Sequence, residues 1–233
     1  MSRNATKDLT TGSPMKLILG FGIPLLFGML FQQLYNMMDT IIVGKFLGVS
    51  ALASVGATGS INFMIIGFCM GVCNGFAIPV AQRFGAKDEH GMRKFVANSV
   101  WLSIIFAVVM AVLVCVFCRQ ILELMNTPED IFDDAYTYIM IICGGIFTQV
   151  LYNLLSSILR ALGNSKTPLY FLLLSAGLNI VLDLVLIIYF HMGVAGAAIA
   201  TLISRIFCAL VVLIQLRRDR QPIVVRDYLK IRP

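Results

Sequence analysis

Long apolar blocks separated by short polar segments run the length of the chain and predict six spans, approximately Lys16 to Phe46, Ala51 to Phe84, Phe95 to Phe117, Ala135 to Leu159, Pro168 to Phe190 and Val194 to Leu216. Each exceeds the roughly 20 residues that a ~30 Å hydrocarbon core demands of a helix. The first two are long enough to tilt, kink or extend past the bilayer. Pro24 and Pro79 are candidate kinks, because each removes a backbone hydrogen bond inside its helix. The pattern predicts an all-α polytopic membrane protein, a bundle of six transmembrane helices over residues 15–216. A polar segment, 1–14, precedes it and a basic tail or linker, 217–233, follows.

Polar residues inside the spans are the exceptions that carry information. Asn179 and Asp183 sit four apart in the fifth span, so a helix puts them on one face. An ionised carboxylate deep in a membrane costs roughly 2.5–3.5 kcal/mol, so it needs a counter-charge, a cation or a proton. In the first span Gln32, Tyr35, Asn36 and Asp39 recur at i, i+3, i+4 and i+7, one narrow polar stripe on an otherwise apolar helix. Such a stripe should face protein or a water-filled cavity, since lipid would strand its hydrogen-bonding groups. In the sixth span Ala197, Thr201 and Arg205 share a face, and the small residues from Gly193 to Ala198 allow close helix approach.

Composition agrees with the membrane assignment: 59% of residues are hydrophobic, 13% charged, and mean hydropathy is +0.89, beyond any ordinary soluble domain. No cleavable signal peptide is expected, because Met1 to Pro14 is polar and the apolar run from Met15 is too long for an h-region. The net charge of +6 is a topology signal rather than a nucleic-acid footprint. The six cysteines fall in or beside apolar runs and read as small apolar filler; Cys115-x-x-Cys118 has metal-like spacing but no histidine or second pair nearby.

Basic residues cluster on one side. Arg3, Lys7 and Lys16 precede the first span, and Arg83, Lys87, Arg93 and Lys94 separate the second from the third. Arg160 and Lys166 separate the fourth from the fifth, and Arg217, Arg218, Arg220, Arg226, Lys230 and Arg232 follow the sixth. The opposite loops hold Lys45, Arg119 and the acidic Glu129, Asp130, Asp133 and Asp134. Both ends are therefore expected on the cytoplasmic side of the plasma membrane. Counting from the outer helix ends at 1.5 Å per residue puts Asp39, Asp183 and Thr201 at one level, roughly 10–12 Å below the outer surface. The short loop His191-Met192-Gly193 makes the last two spans neighbours, so the three side chains can converge.

Carboxylates, an amide and a hydroxyl are hard oxygen ligands, suited to a small hard cation such as sodium rather than to zinc or copper. The same acids could instead carry a proton, since a carboxyl removed from water is held more easily in its neutral form. A third reading makes Asp39, Asn179 and Asp183 interhelical glue, with Arg205 neutralising one acid.

The segments IPLLFGMLFQQLYNMMDTIIVGKFLGVSALASVG, AIPVAQRFGAKD, LRALGNSKTP, LNIVLD and GVAGAAIATLIS resemble the amino-terminal lobe of the MATE family, the multidrug and toxic compound extrusion transporters. The resemblance implies an antiporter in which inward sodium or protons drive organic cations out. It places Asp39, Asn179, Asp183 and Thr201, with the backbone carbonyl of Ala197, in the amino-lobe cation site, and Gln32 and Tyr35 in the cavity facing the other lobe. Pro24 takes the place of a proline whose bending goes with protonation or ion occupancy. Family members have twelve spans in two lobes, so the implied partners are a drug-like organic cation, the lipid bilayer and a second six-helix lobe, in a missing C-terminal half or another chain. No cofactor beyond the coupling ion is implied.

Gln32-x-Leu34-Tyr35-Asn36 is echoed by Gln149-x-Leu151-Tyr152-Asn153 in the fourth span, with Ser156 where Asp39 stands. As an inverted three-plus-three repeat, this predicts that Gln149, Tyr152 and Asn153 also face the cavity. A lipid-linked saccharide flippase of related fold would need more cationic residues for phosphate than Arg205 supplies. A membrane scaffold would not explain three polar groups at one depth. Nothing points to an enzyme: His90 and His191 fall at opposite faces, and the glycine-rich segments lie inside spans. Asn4-Ala5-Thr6 is a formal glycosylation sequon on the expected cytoplasmic side, and so accidental.

Overall fold

A computed structural model describes residues 12–218. Arg3, Lys7, the Asn4-Ala5-Thr6 sequon and the tail from residue 219 onward, with Arg220, Arg226, Tyr228, Lys230 and Arg232, lie outside the described residues. Helix α1 (Pro14–Leu47) begins with a proline, whose fixed φ and missing N–H suit a first turn. It meets α2 (Val49–Gly85) through Gly48 alone, where φ of 88° favours glycine. Pro24 and Pro79 both lie inside continuous helices.

Helix α3 (Glu89–Leu124) starts at Asp88, whose side chain accepts the Gly91 N–H at 2.9 Å, and runs past its expected end at Phe117. The extension carries Arg119 and Glu123, paired at 3.1 Å across one turn. The expected fourth span is two helices, α4 (Glu129–Gly144) and α5 (Ile146–Ala161), bent by 50°. Two departures from the sequence expectation meet here. Glu129 and Asp130 form the first turn of α4, where carboxylates favour the helix dipole, instead of belonging to the loop. The span also breaks at Gly144-Gly145, residues that lower helix propensity and supply no side chain to hold the turn.

Asn164 then anchors α6 (Lys166–Leu184), accepting the Thr167 N–H at 3.1 Å while its own amide donates to Thr167 Oγ1 at 2.8 Å. The helix widens into a π-helical turn, Val185–Tyr189, immediately beyond Asp183, and α7 (Gly193–Arg218) returns. Among the described residues, five helices are long and apolar enough to span a membrane, six when the bent pair counts as one.

Helix α2 packs on α3 and α5, α6 on α7 and α1, and α4 on α2 and α7. One core cluster joins α2, α3, α4 and α5, with Leu154, Ile158 and Leu162 fully buried. A smaller cluster, Ile42, Val43, Ala51, Tyr138, Ile187, Val194, Ala197 and Ala198, joins α1, α2, α4, the π turn and α7. Cys69, Cys73, Cys118 and Cys143 belong to the main core, and the Cys115 thiol contacts Cys143 at 3.3 Å rather than Cys118.

Candidate functional site: a facing acid pair behind a cavity

Four-residue spacing on α1 brings Gln32, Tyr35, Asn36 and Asp39 to one wall of a cavity of about 600 Å³. Gly56, Gly59 and Asn62 of α2 face them, with Tyr138 and Ile142 of α4, Gln149 of α5, and Thr201 and Arg205 of α7. A Cβ at Gly56 or Gly59 would meet nothing within 4 Å, so these glycines widen the space.

Behind this wall lie Asn179 and Asp183 of α6, both 0% exposed. They do not line the cavity, so the site is a sealed compartment reached past Asp39 and Thr201 rather than one open pocket. The Asp39 and Asp183 carboxyls are within side-chain hydrogen-bonding range of one another. Each also keeps its Oδ1 buried without a partner. Neither has a Lys, Arg or His nitrogen within 4.0 Å among the described residues. Two ionised carboxylates cannot hydrogen-bond each other; the pair must share a proton or a cation.

Asn179 ties the acids to α7. Oriented to satisfy both ends, its Nδ2 donates to Asp183 Oδ2 at 2.9 Å and its Oδ1 accepts from the Thr201 N–H at 3.2 Å. The amide end facing Thr201 is also 3.4 Å from that residue's Oγ1, which in turn accepts from the Tyr35 hydroxyl at 3.5 Å. A polar path therefore runs from cavity-lining Tyr35 through Thr201 and Asn179 to Asp183. Ala197, one turn outside Thr201, is buried in the outer apolar cluster.

Arg205 forms a close ion pair with neither acid. Its guanidinium donates to Gln149 Oε1 and makes no ion pair among the described residues.

The echoed motif on α5 divides. Gln149 lines the main cavity, and Tyr152 lines a smaller side pocket with Gln32, Tyr35 and Arg205. Asn153 turns inward, buried and lining neither space, contrary to the expectation from the repeat. Helix α5 is surrounded by α2, α3 and α7, so its polar residues have protein on more than one side, unlike those of peripheral α1. Tyr138, buried among Asp39, Tyr35, Arg205 and Asp183, was not among the expected site residues. Starting the depth count at Glu129 instead of Ala135 would have put it at the acids' level, roughly 13 Å down.

The MatE family model matches residues 24–185. The probable multidrug resistance protein YoeA of Bacillus subtilis (strain 168) is 34% identical over 218 residues, covering 90% of this chain and 47% of YoeA. A MOP superfamily transporter from Pyrococcus furiosus, described as having a binding pocket of reversed polarity, superposes with a TM-score of 0.87 at 31% identity, covering 96% of this chain and 50% of that one. A MATE structure in the bent conformation gives 0.84 at 32% identity, over 95% and 48% of the two chains. The chain thus spans about half the length of the relatives it matches. With the family model covering most of its length, this six-span lobe belongs to the MATE family of multidrug and toxic compound extrusion transporters.

Proposed function

We propose that the chain acts as the ion-coupled lobe of a multidrug exporter, with Asp39 and Asp183 holding sodium or sharing protons and Asn179, Thr201 and the Ala197 carbonyl completing the oxygen shell. The observation that carries this reading is the facing acid pair, Asp183 buried and Asp39 half-buried on the cavity wall, with no Lys, Arg or His nitrogen of the described residues within 4.0 Å. A pair so placed is held together by whatever cation or proton enters it, which makes its occupancy a switch. Sodium and protons both suit these groups.

The cavity beside the pair is where a drug-like organic cation would enter, and Asp39, shared by cavity and pair, would make drug and ion compete. Occupancy biases α1, in which Pro24 has no N–H to donate to the Gly20 carbonyl, so the helix bends there at little cost. Alternating access requires a second six-helix lobe for this one to rock against. Both ends face the cytoplasm in the plasma membrane.

The test is efflux of a fluorescent organic cation from vesicles, driven by a sodium gradient and then by a proton gradient, with this chain alone and joined to a second lobe. Coupled efflux should require two lobes and one of the two gradients, and Asp183→Asn should abolish the coupling. Efflux of equal rate in Asp183→Asn under both gradients would overturn the reading.

A further inference from the structure

Among the described residues, Arg205 is the single basic side chain on the cavity wall and Asp39 the single acidic one. Opposite charges are thus presented to one largely apolar space from α7 and α1. The guanidinium carries five N–H donors and is bonded to a neutral acceptor, Gln149 Oε1. No carboxylate oxygen of the described residues lies within 4.0 Å of it. It borders both the main cavity and the side pocket, so a ligand can approach it from two sides. A half-buried guanidinium without a counter-ion keeps much of its pairing capacity unused, and its planar fork matches a carboxylate through two parallel hydrogen bonds. The partner it has can be given up without stranding a charge.

Resting on the exporter reading above, we propose that Arg205 determines specificity for substrates that carry a carboxylate beside their cationic centre. The carboxylate docks on the Arg205 guanidinium and the cationic part lies toward Asp39. Purely cationic compounds use the Asp39 side alone. Zwitterions engage both walls and are favoured.

Rhodamine 110, with a free carboxylate beside a cationic xanthene, and rhodamine 123, its methyl ester, differ only in the group that Arg205 would read. Fluorescence anisotropy of each dye with the purified chain in detergent gives two Kd values and their ratio. Replacing Arg205 by Gln should shift that ratio against rhodamine 110 by about tenfold or more, the scale of one charge-assisted bidentate contact. Arg205→Lys should recover part of the loss, because an ammonium keeps the charge without the fork. Arg119→Gln, at an exposed arginine of α3 that lines neither space, should leave the ratio within threefold. If both dyes still bind to Arg205→Gln and the ratio moves less than threefold, the inference falls and the exporter reading stands. Equal weakening of both dyes in Arg205→Gln would mark a structural role and also overturn it. If neither dye binds the unaltered chain, alone or joined to a second lobe, the cavity is not a drug site and both readings fall together.

Discussion

Asp39 on α1 and Asp183 on α6 face each other within hydrogen-bonding range, and Asn179 ties the pair to α7, donating to Asp183 Oδ2 at 2.9 Å and accepting from the Thr201 N–H at 3.2 Å. The arrangement sets two carboxyl groups against one another, Asp183 fully buried and Asp39 on the cavity wall. On the proposed reading, a proton or cation shared by the acids stabilises it.

Removing one acid should therefore separate stability from ion binding. Asp183→Asn keeps the shape and the contact with Asn179 while ending the repulsion. In the absence of sodium at neutral pH it should raise the melting temperature of the lobe, and specific binding of radiolabelled sodium should fall by at least about tenfold, or about 1.4 kcal/mol. Should the proton be the coupling ion, proton release on drug binding is the readout that disappears. A variant less stable than the parent and equally able to bind the ion would show that the pair is interhelical glue.

The break between α4 and α5 makes a different kind of demand. A Cβ on Gly145 would approach Leu202 Cδ1 to 2.5 Å and the Ile142 carbonyl oxygen to 3.2 Å, so α7 is seated against the bend. Gly145→Ala should cost about 1–3 kcal/mol through overpacking. Pairing it with Leu202→Ala should recover part of that loss, since the two side chains compete for one space. Thermal melting of the two single variants and the double variant measures the coupling; strict additivity would show that the bend and α7 are independent.

The long helices and the shared depth of Asp39, Asp183 and Thr201 were legible in the sequence because hydropathy and a fixed rise per residue need no tertiary information. The break at Gly144-Gly145 was not, since paired glycines in an apolar run read equally as close helix packing. Tyr138 was not singled out: with Glu129 to Asp134 read as loop, the fourth span starts at Ala135, and a count from there leaves the tyrosine about one turn deep, short of the acids' level. Arg205's partner, Gln149, lies on a helix distant in sequence, and no spacing rule connects them. Nor does periodicity reveal that α5 is enclosed by other helices, which is why Asn153 turns into protein while Gln149 reaches the cavity.

That division on α5 is directly measurable. In a background lacking the native cysteines, Gln149→Cys should react with a membrane-impermeant thiol reagent that enters the cavity, and an organic-cation dye should protect it. Asn153→Cys should stay unreactive under both conditions. Equal labelling of the two positions would restore the full three-plus-three repeat and refute the placement of Asn153.

The turn between α2 and α3 supplies a pH-dependent element outside the membrane-spanning core. Asp88 accepts the Gly91 N–H at 2.9 Å and pairs with Arg83 at 3.1 Å; the backbone hydrogen bond first, and Arg83 second among the stabilising contacts, hold its carboxyl below the usual carboxylate range. A depressed folded-state pKa means that the stabilisation is fully present above the unfolded value, about 3.9, and is lost as pH falls through the lower folded value. Asp88→Asn retains a good N-cap but not the charge, so it isolates this contribution. Melting curves of the two proteins should differ at pH 7, with the parent more stable, and converge as the pH drops below about 4. Added salt should shrink the pH 7 difference, because Asp88 and Arg83 are solvent-accessible. A difference unchanged from pH 7 to pH 3 would mean that the carboxylate's charge contributes nothing to starting α3.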